Sequence, residues 1–197
     1  RPELPSRRRL VRVYSDASGT VAIIELHDPA RSNTFSAELG EDVDAAAQHL
    51  QLHRGLRSVV LQGTGRHFSA GGNPHETATP SRVPFAALAA SCVFPYTGFM
   101  RLKHLNVPIL CSVQGTLIGG GLAVCMNADY VVAHADATFE HGNLVRGVCV
   151  LGMLSQTFAI ALGPHAHARP HRELRRDGGG LDVAQETVTN ISIHNIS

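Results

Sequence analysis

The chain has 197 residues and a formal net charge of +1; 44% of the residues are hydrophobic and 17% are charged. This composition is typical of a globular protein and excludes a disordered chain, and the length suits one domain with its own core. The charge balance predicts no nucleic-acid partner. Because the apolar runs are shorter than the ~20 residues that a span needs, no membrane partner is predicted either.

The first predicted elements are two strands and a helix. β-branched and apolar residues at 10–14 and 21–27 flank a turn rich in Ser, Asp and Gly, which predicts a β-hairpin. Apolar residues then recur at helical spacing from Ser36 to His49, and Ser36 is a suitable N-cap. Another strand is predicted at 57–62, so the pattern changes from hairpin to alternating strands and helices.

The next part of the chain continues this alternation. A Pro/Thr/Ser-rich loop is predicted at 74–84, then a helix at 85–104 that Pro95 must kink or end. A strand at 108–113, a helix at 120–127 and a strand at 130–133 follow. This order predicts an α/β fold with a mainly parallel sheet, covering helices and right-handed crossovers.

The two ends of the chain differ from this pattern. Residues 1–10 are predicted to be a flexible basic leader, 11–163 the core domain, and 164–197 a divergent, partly disordered tail rich in Arg, His, Pro and Gly. His165, His167 and His171 lie in this tail without a Cys or carboxylate cluster, so no metal site is expected there. A truncated or altered end of the chain is the expectation.

The four cysteines, which are Cys92, Cys111, Cys125 and Cys149, show no CxxC spacing. Three of them lie in apolar runs, a pattern typical of buried, reduced thiols. The sequence therefore predicts a cytoplasmic protein without a cysteine-based metal site.

Two glycine-rich turns carry most of the functional information. The run Gly115–Gly121 contains four glycines and lies between a predicted strand and a predicted helix. The run Ser69-Ala70-Gly71-Gly72 follows the strand at 57–62. Glycines at such turns leave backbone N–H groups open to a ligand oxygen, although they also occur where two elements pack closely. Two such turns could supply one N–H each to a shared carbonyl oxygen, as in an oxyanion hole.

These turns belong to a wider set of motifs. The set includes Asp28-Pro29-Ala30-Arg31-Ser32-Asn33-Thr34-Phe35, His67 through Gly72, Val107 through Gly121 and Asn127 through Tyr130. In this order and spacing the chain resembles the crotonase, or enoyl-CoA hydratase/isomerase, superfamily over about 11–163.

That resemblance implies a ββα spiral core whose C-terminal helical region is truncated or divergent here. It also implies a homotrimer or hexamer and an acyl thioester of coenzyme A or of acyl carrier protein as partner. The substrate would be carried on coenzyme A or phosphopantetheine, with no covalently bound cofactor.

The resemblance also assigns roles to individual residues. The backbone N–H groups of Gly72 and Gly120 correspond to the two oxyanion donors, and Ser69, Ala70 and Gly71 to a binding segment for the thioester and its pantetheine arm. The two glutamates of the hydratases correspond to Ala123 and Asn143. Neither residue can act as a general base, so ordinary hydration is not expected.

Further candidates for the chemistry lie near these positions. His75 and Glu76 follow the first turn, and either could move a proton; Asn143 could orient a substrate by hydrogen bonding. His141 and Arg146 flank Asn143, and an Arg could hold a carboxylate. For each of these residues, a plain position on a surface loop is the alternative.

The segments 33–39, 69–76 and 151–153 resemble the crotonase-type enzymes of polyketide β-branching. That resemblance implies a lyase, a decarboxylase or dehydratase of polyketide or related acyl metabolism, and the missing glutamate pair fits this branch. Two alternatives stay open. One is an isomerase or hydratase with a different base, such as Glu76. The other is a non-catalytic thioester-binding protein or an inactive, truncated subunit.

Overall fold

The computed structural model describes residues 9–72 and 96–140, and every structural statement below concerns these residues. Within them the chain forms seven strands, a short 3-10 turn at Pro29–Arg31 and three α-helices. The strands are β1 Val11–Ser15, β2 Val21–Leu26, β3 Ser58–Gly63, β4 Ile109–Val113, β5 Thr116–Ile118, β6 Tyr130–Ala133 and β7 Thr138–Glu140. The helices are α1 Ala37–Gln51, α2 Thr97–Leu102 and α3 Gly120–Met126.

Five strands form the main sheet in the order β1-β2-β3-β4-β6. β1 and β2 are antiparallel, with Val11 opposite Leu26, which confirms the predicted hairpin. The other three pairs of neighbouring strands are parallel, so the prediction of a mainly parallel α/β sheet is also confirmed. Alternate residues of β2 and β3 are buried, and this face of the sheet forms the core with the helices.

Helix α1 begins where the sequence predicts. The Ser36 hydroxyl accepts a hydrogen bond of 3.1 Å from the N–H of Leu39, which is the expected N-cap contact. The buried residues of α1 follow helical spacing and include Leu39, Val43 and Leu50. Helix α1 therefore presents one apolar stripe to the sheet and to α2.

Helix α2 is shorter than the prediction at its C-terminal end. The helix ends at Leu102 instead of residue 104, and Asn106 then takes a left-handed conformation with φ of 50° just before Pro108. This reversal returns the chain to β4, so the helix cannot continue. The predicted helical residues 85–95 and the predicted loop 74–84 lie outside the described residues, as do most of the leader and the whole tail.

The glycine run contains a strand that the sequence analysis missed. Instead of a direct turn from β4 into α3, residues Thr116–Ile118 form β5, which pairs in parallel with β7. Gly115 and Gly119 both have positive φ, of 63° and 49°, and turn the chain on either side of β5. The strand was missed because three residues are too few for a recognisable period, and its partner comes from a distant part of the chain.

Candidate functional site

The two glycine-rich turns lie side by side, at the carboxyl ends of the adjacent parallel strands β3 and β4. The N–H of Phe68 donates to the carbonyl of Gln114 at 2.9 Å, and the N–H of Ile118 donates to the carbonyl of Ser69 at 3.4 Å. The N–H of Thr116 also donates to Nδ1 of His67 at 3.0 Å. These bonds hold the two turns together over several residues.

Glycine is required where the turns come closest. Gly71 has a φ of 83°, and a Cβ on it would overlap the carbonyl oxygen of Ile118 and lie 3.0 Å from the nitrogen of Gly120. A Cβ on Gly121 would overlap the carbonyl oxygen of Ser69. Close packing, the simpler of the two explanations for these glycines, therefore accounts for Gly71 and Gly121.

The N–H groups of Gly72, Gly120 and Gly121 differ from those of Gly71 and Gly119 in their hydrogen bonding. The N–H of Gly71 donates to the Ser69 hydroxyl at 3.1 Å, and the N–H of Gly119 donates to the carbonyl of Glu140 at 2.9 Å. Among the hydrogen bonds within 9–72 and 96–140, none uses the N–H of Gly72 or Gly120. The two neighbouring turns thus each carry a backbone N–H without a partner among the described residues: Gly72 in the first turn, and both Gly120 and Gly121 in the second.

The segment predicted to bind the thioester is tightly bonded. Ser69 is fully buried, and its hydroxyl donates to the carbonyl of Asn33 at 2.7 Å. The N–H of Ala70 donates to the carbonyl of Ser32 at 2.9 Å. These contacts fix the path of the backbone into Gly72. A direct role of Ser69, Ala70 or Gly71 in binding stays a prediction.

Asn33 supports the first turn through its side-chain hydrogen bonds, a role that was not predicted from the sequence. Its side-chain Nδ2 donates to the carbonyls of Thr64, His67 and Phe68, at 2.9, 2.9 and 3.1 Å. Its Oδ1 accepts from the N–H of Asp28 at 2.8 Å, and the residue is fully buried. Its φ of 51° is one that Asn tolerates better than most residues.

Tyr96 is a second residue of the site that the sequence analysis missed. Its hydroxyl oxygen lies 3.9 Å from the position that a Cβ on Gly72 would take, and a Cβ on Gly120 would overlap the same oxygen. The Tyr96 ring packs edge-on against Phe35, with centroids 5.5 Å apart. No motif points to Tyr96, because it is far from both turns in sequence and reaches them only through the fold.

Ala123 and Cys125 of α3 offer no acid or base. Ala123 is buried, and its N–H donates to the carbonyl of Gly119 at 2.9 Å, so it serves helix packing. A hydrogen bond with Cys111, together with burial, raises the pKa of the Cys125 thiol well above its usual value. The thiol therefore stays neutral and unreactive near pH 7.

The other candidate residues cannot be placed. Five candidates lie outside the described residues: His75, Glu76, His141, Asn143 and Arg146. Within the part that the structure describes, no group of three or more His, Cys, Asp or Glu side chains is arranged to hold a metal ion. None of the three described helices is long and apolar enough to cross a bilayer.

Residues 16–169 match the model of the enoyl-CoA hydratase/isomerase family. A Mycobacterium leprae relative named "Probable enoyl-CoA hydratase echA12" is 30% identical over 133 residues, which are 65% of this chain and 45% of the relative. This chain spans about half the length of the curated relatives that it matches.

Two solved structures share the fold. An enoyl-CoA hydratase from Thermoplasma volcanium aligns with a TM-score of 0.77 at 21% identity, covering 94% of this chain and 71% of that one. An enoyl-CoA hydratase/carnithine racemase from Magnetospirillum magneticum aligns with a TM-score of 0.76 at 20% identity, covering 92% and 67% of the two chains. Together with the family match, these likenesses confirm the predicted crotonase-type α/β fold.

Proposed function

Since the chain belongs to the enoyl-CoA hydratase/isomerase family, we propose that it binds an acyl thioester and stabilises the enolate of its carbonyl group. The observation that carries this proposal is the pair of backbone N–H groups on Gly72 and Gly120. They lie on two turns in direct contact, and neither is used within the described residues.

The chemistry follows from where charge develops. Removing a proton or a carboxylate from the carbon next to a thioester places negative charge on the carbonyl oxygen. Two fixed N–H donors lower the energy of that charge without any rearrangement, and one such donor can be worth about 3 kcal/mol of barrier. The bonds of Asn33 and Ser69 hold the backbone that leads into the first turn, which supports a fixed position for the N–H of Gly72.

We propose the reaction that follows enolate formation from the absence of a glutamate at position 123. A hydratase of this family would carry a glutamate there, whereas this chain has the buried methyl group of Ala123. We therefore favour a decarboxylase or dehydratase acting on a thioester of coenzyme A or acyl carrier protein. Decarboxylation needs the oxyanion donors but no paired glutamates.

Calorimetric titration with butyryl-CoA tests the binding step, and free coenzyme A is the control. The thioester is expected to bind saturably and more tightly than coenzyme A, because only the thioester offers a carbonyl oxygen to the donors. Equal binding of both compounds, or no binding, would contradict the proposal.

Turnover assays then separate the proposed reactions. Release of carbon dioxide from 3-methylglutaconyl-CoA supports the decarboxylase, and hydration of crotonyl-CoA supports the alternative of a different base, such as Glu76. Saturable binding without either reaction supports a non-catalytic thioester-binding protein. Homotrimer or hexamer assembly is part of the same proposal, and sedimentation measures it.

A further inference from the structure

The Tyr96 hydroxyl lies close to Gly72 and Gly120, the two glycines of the proposed donors. A Cβ on Gly120 would lie 3.0 Å from Cζ of Tyr96 and would overlap its hydroxyl oxygen, so that oxygen is packed directly on the Gly120 backbone. The same oxygen is the only atom within 4 Å of a Cβ built on Gly72, at 3.9 Å, among the described residues. One side-chain group therefore faces both glycines.

Packing holds the tyrosine in this position. Its ring meets Phe35 edge-on, with an interplanar angle of 87°, and Phe35 in turn packs against Phe99 with centroids 4.7 Å apart. The N–H of Phe35 also donates to the carbonyl of Gly71 at 2.7 Å. Phe35 thus joins the first donor turn to the start of α2, so the turn and Tyr96 are positioned by the same residue.

Helix α2 itself is fixed against α1. A Cβ on Gly98 would overlap the backbone of α1, at 3.0 Å from the Val43 carbonyl carbon, so the two helices are in close contact. Arg101 of α2 forms an ion pair with Asp44 of α1. The start of α2, and with it Tyr96, therefore has little freedom to move away from the glycines.

A phenolic O–H suits the chemistry proposed for this place. It donates one hydrogen bond to an oxygen without carrying a charge, and it accepts others. A donor directed at an oxygen that gains charge in the reaction stabilises the charged state more than the neutral one. The half-buried Tyr96 can do this in a partly dry environment, where such a bond is stronger than in water.

We infer that Tyr96 is a further catalytic residue, whose hydroxyl donates a third hydrogen bond to the thioester oxygen held by the N–H groups of Gly72 and Gly120. This inference rests on the proposed function and extends it from two backbone donors to a side chain. The described part of the chain offers no other side chain that faces both glycines.

The test uses cinnamoyl-CoA, a thioester whose absorbance band moves to longer wavelength when its carbonyl oxygen is polarised. The proteins compared are the wild type, Tyr96→Phe and the matched control Tyr130→Phe. Tyr130 is 51% exposed and lies at the beginning of β6, at the amino ends of the parallel strands, so losing its hydroxyl leaves the site intact. Tyr96→Phe keeps the ring that packs on Phe35, and thermal unfolding checks that both variants remain folded.

The wild type and Tyr130→Phe are expected to shift the band equally, whereas Tyr96→Phe is expected to lose at least half of the shift. Its affinity for the probe should fall by no more than about tenfold, the cost of one hydrogen bond. A full shift in Tyr96→Phe, or tighter binding with a larger shift, would overturn the inference while leaving the proposed function intact. A wild-type protein that gives no shift would contradict the proposed function itself, and this inference with it.

Discussion

At the scale of single residues, Asn33 shows how one buried side chain supports a backbone site. It combines a left-handed conformation with four hydrogen bonds, three of which end on the carbonyls of the segment 64–68. That segment leads directly into Ser69 and the first glycine-rich turn. The side chain is therefore structural, and its effect on the site passes through the backbone.

Replacing Asn33 by Ala should destabilise the protein strongly, because buried carbonyls and the N–H of Asp28 lose their partner. Each buried polar group left unpaired costs about 1–3 kcal/mol. Asn106→Ala is the matched control, since Asn106 has nearly the same φ, 50° against 51°, but is exposed. In urea unfolding, Asn33→Ala should lose at least about 3 kcal/mol more unfolding free energy than Asn106→Ala, because several buried polar groups lose their hydrogen-bond partner. Similar losses in the two variants would mean that backbone strain, and not the buried hydrogen bonds, makes Asn33 important.

Residue identity alone did not predict these roles. The motif containing Asn33 was recognised in the sequence, but its hydrogen bonds depend on a segment some thirty positions away, as the contact with His67 shows. Tyr96 gave no signal at all, since its place against Gly120 results from the packing of α2 on α1. By contrast, the Ser36 N-cap was predicted correctly because capping is a local interaction.

At the scale of elements, the site consists of two turns that pack backbone against backbone. Gly71 and Gly121 allow this approach, while Gly72 and Gly120 carry the N–H groups that we propose as donors. These four of the six glycines in the two turns therefore divide into two pairs, one for close packing and one for the proposed donors. Either task by itself would explain only half of the pattern.

Gly71→Ala should separate the turns, because the new Cβ would overlap the carbonyl oxygen of Ile118. Gly19→Ala provides the control: Gly19 also has a positive φ, 70°, but a Cβ there would meet nothing within 4 Å. Both variants carry the conformational cost of a left-handed alanine, about 1–2 kcal/mol. Gly71→Ala should lose about 1–3 kcal/mol more, the range for overpacking. Equal unfolding free energies for the two variants would contradict the close contact of the turns.

Elements with a clear period were predicted to within about two residues, as for α1 and β2. Their burial follows the helical or strand period, and this pattern is visible in the sequence. Strands β5 and β7 were not predicted, because each has three residues and depends on pairing with the other. The closeness of the two turns was expected, since both were predicted to serve one carbonyl oxygen, but the hydrogen bonds between them were not predicted.

At the scale of the whole molecule, the parallel order of β3, β4 and β6 places both turns at the carboxyl edge of the sheet. Ligand sites in open parallel sheets commonly lie at this edge. The chain spans about half the length of the curated relatives that it matches. The central claim is that Gly72 and Gly120 polarise a thioester carbonyl through their N–H groups.

Infrared spectroscopy of bound butyryl-CoA, labelled with ¹³C at the thioester carbonyl, measures that polarisation directly. Gly72→Pro removes one N–H, and Gly72→Ala keeps it. The φ of Gly72 is not positive, and the nearest atom of the described residues to its Cβ position lies 3.9 Å away. The carbonyl stretch should move to lower frequency in the wild type, keep most of that change in Gly72→Ala and lose much of it in Gly72→Pro. An unshifted stretch in the wild type, or a shift of the same size in folded Gly72→Pro, would contradict the assignment of these N–H groups as the oxyanion donors.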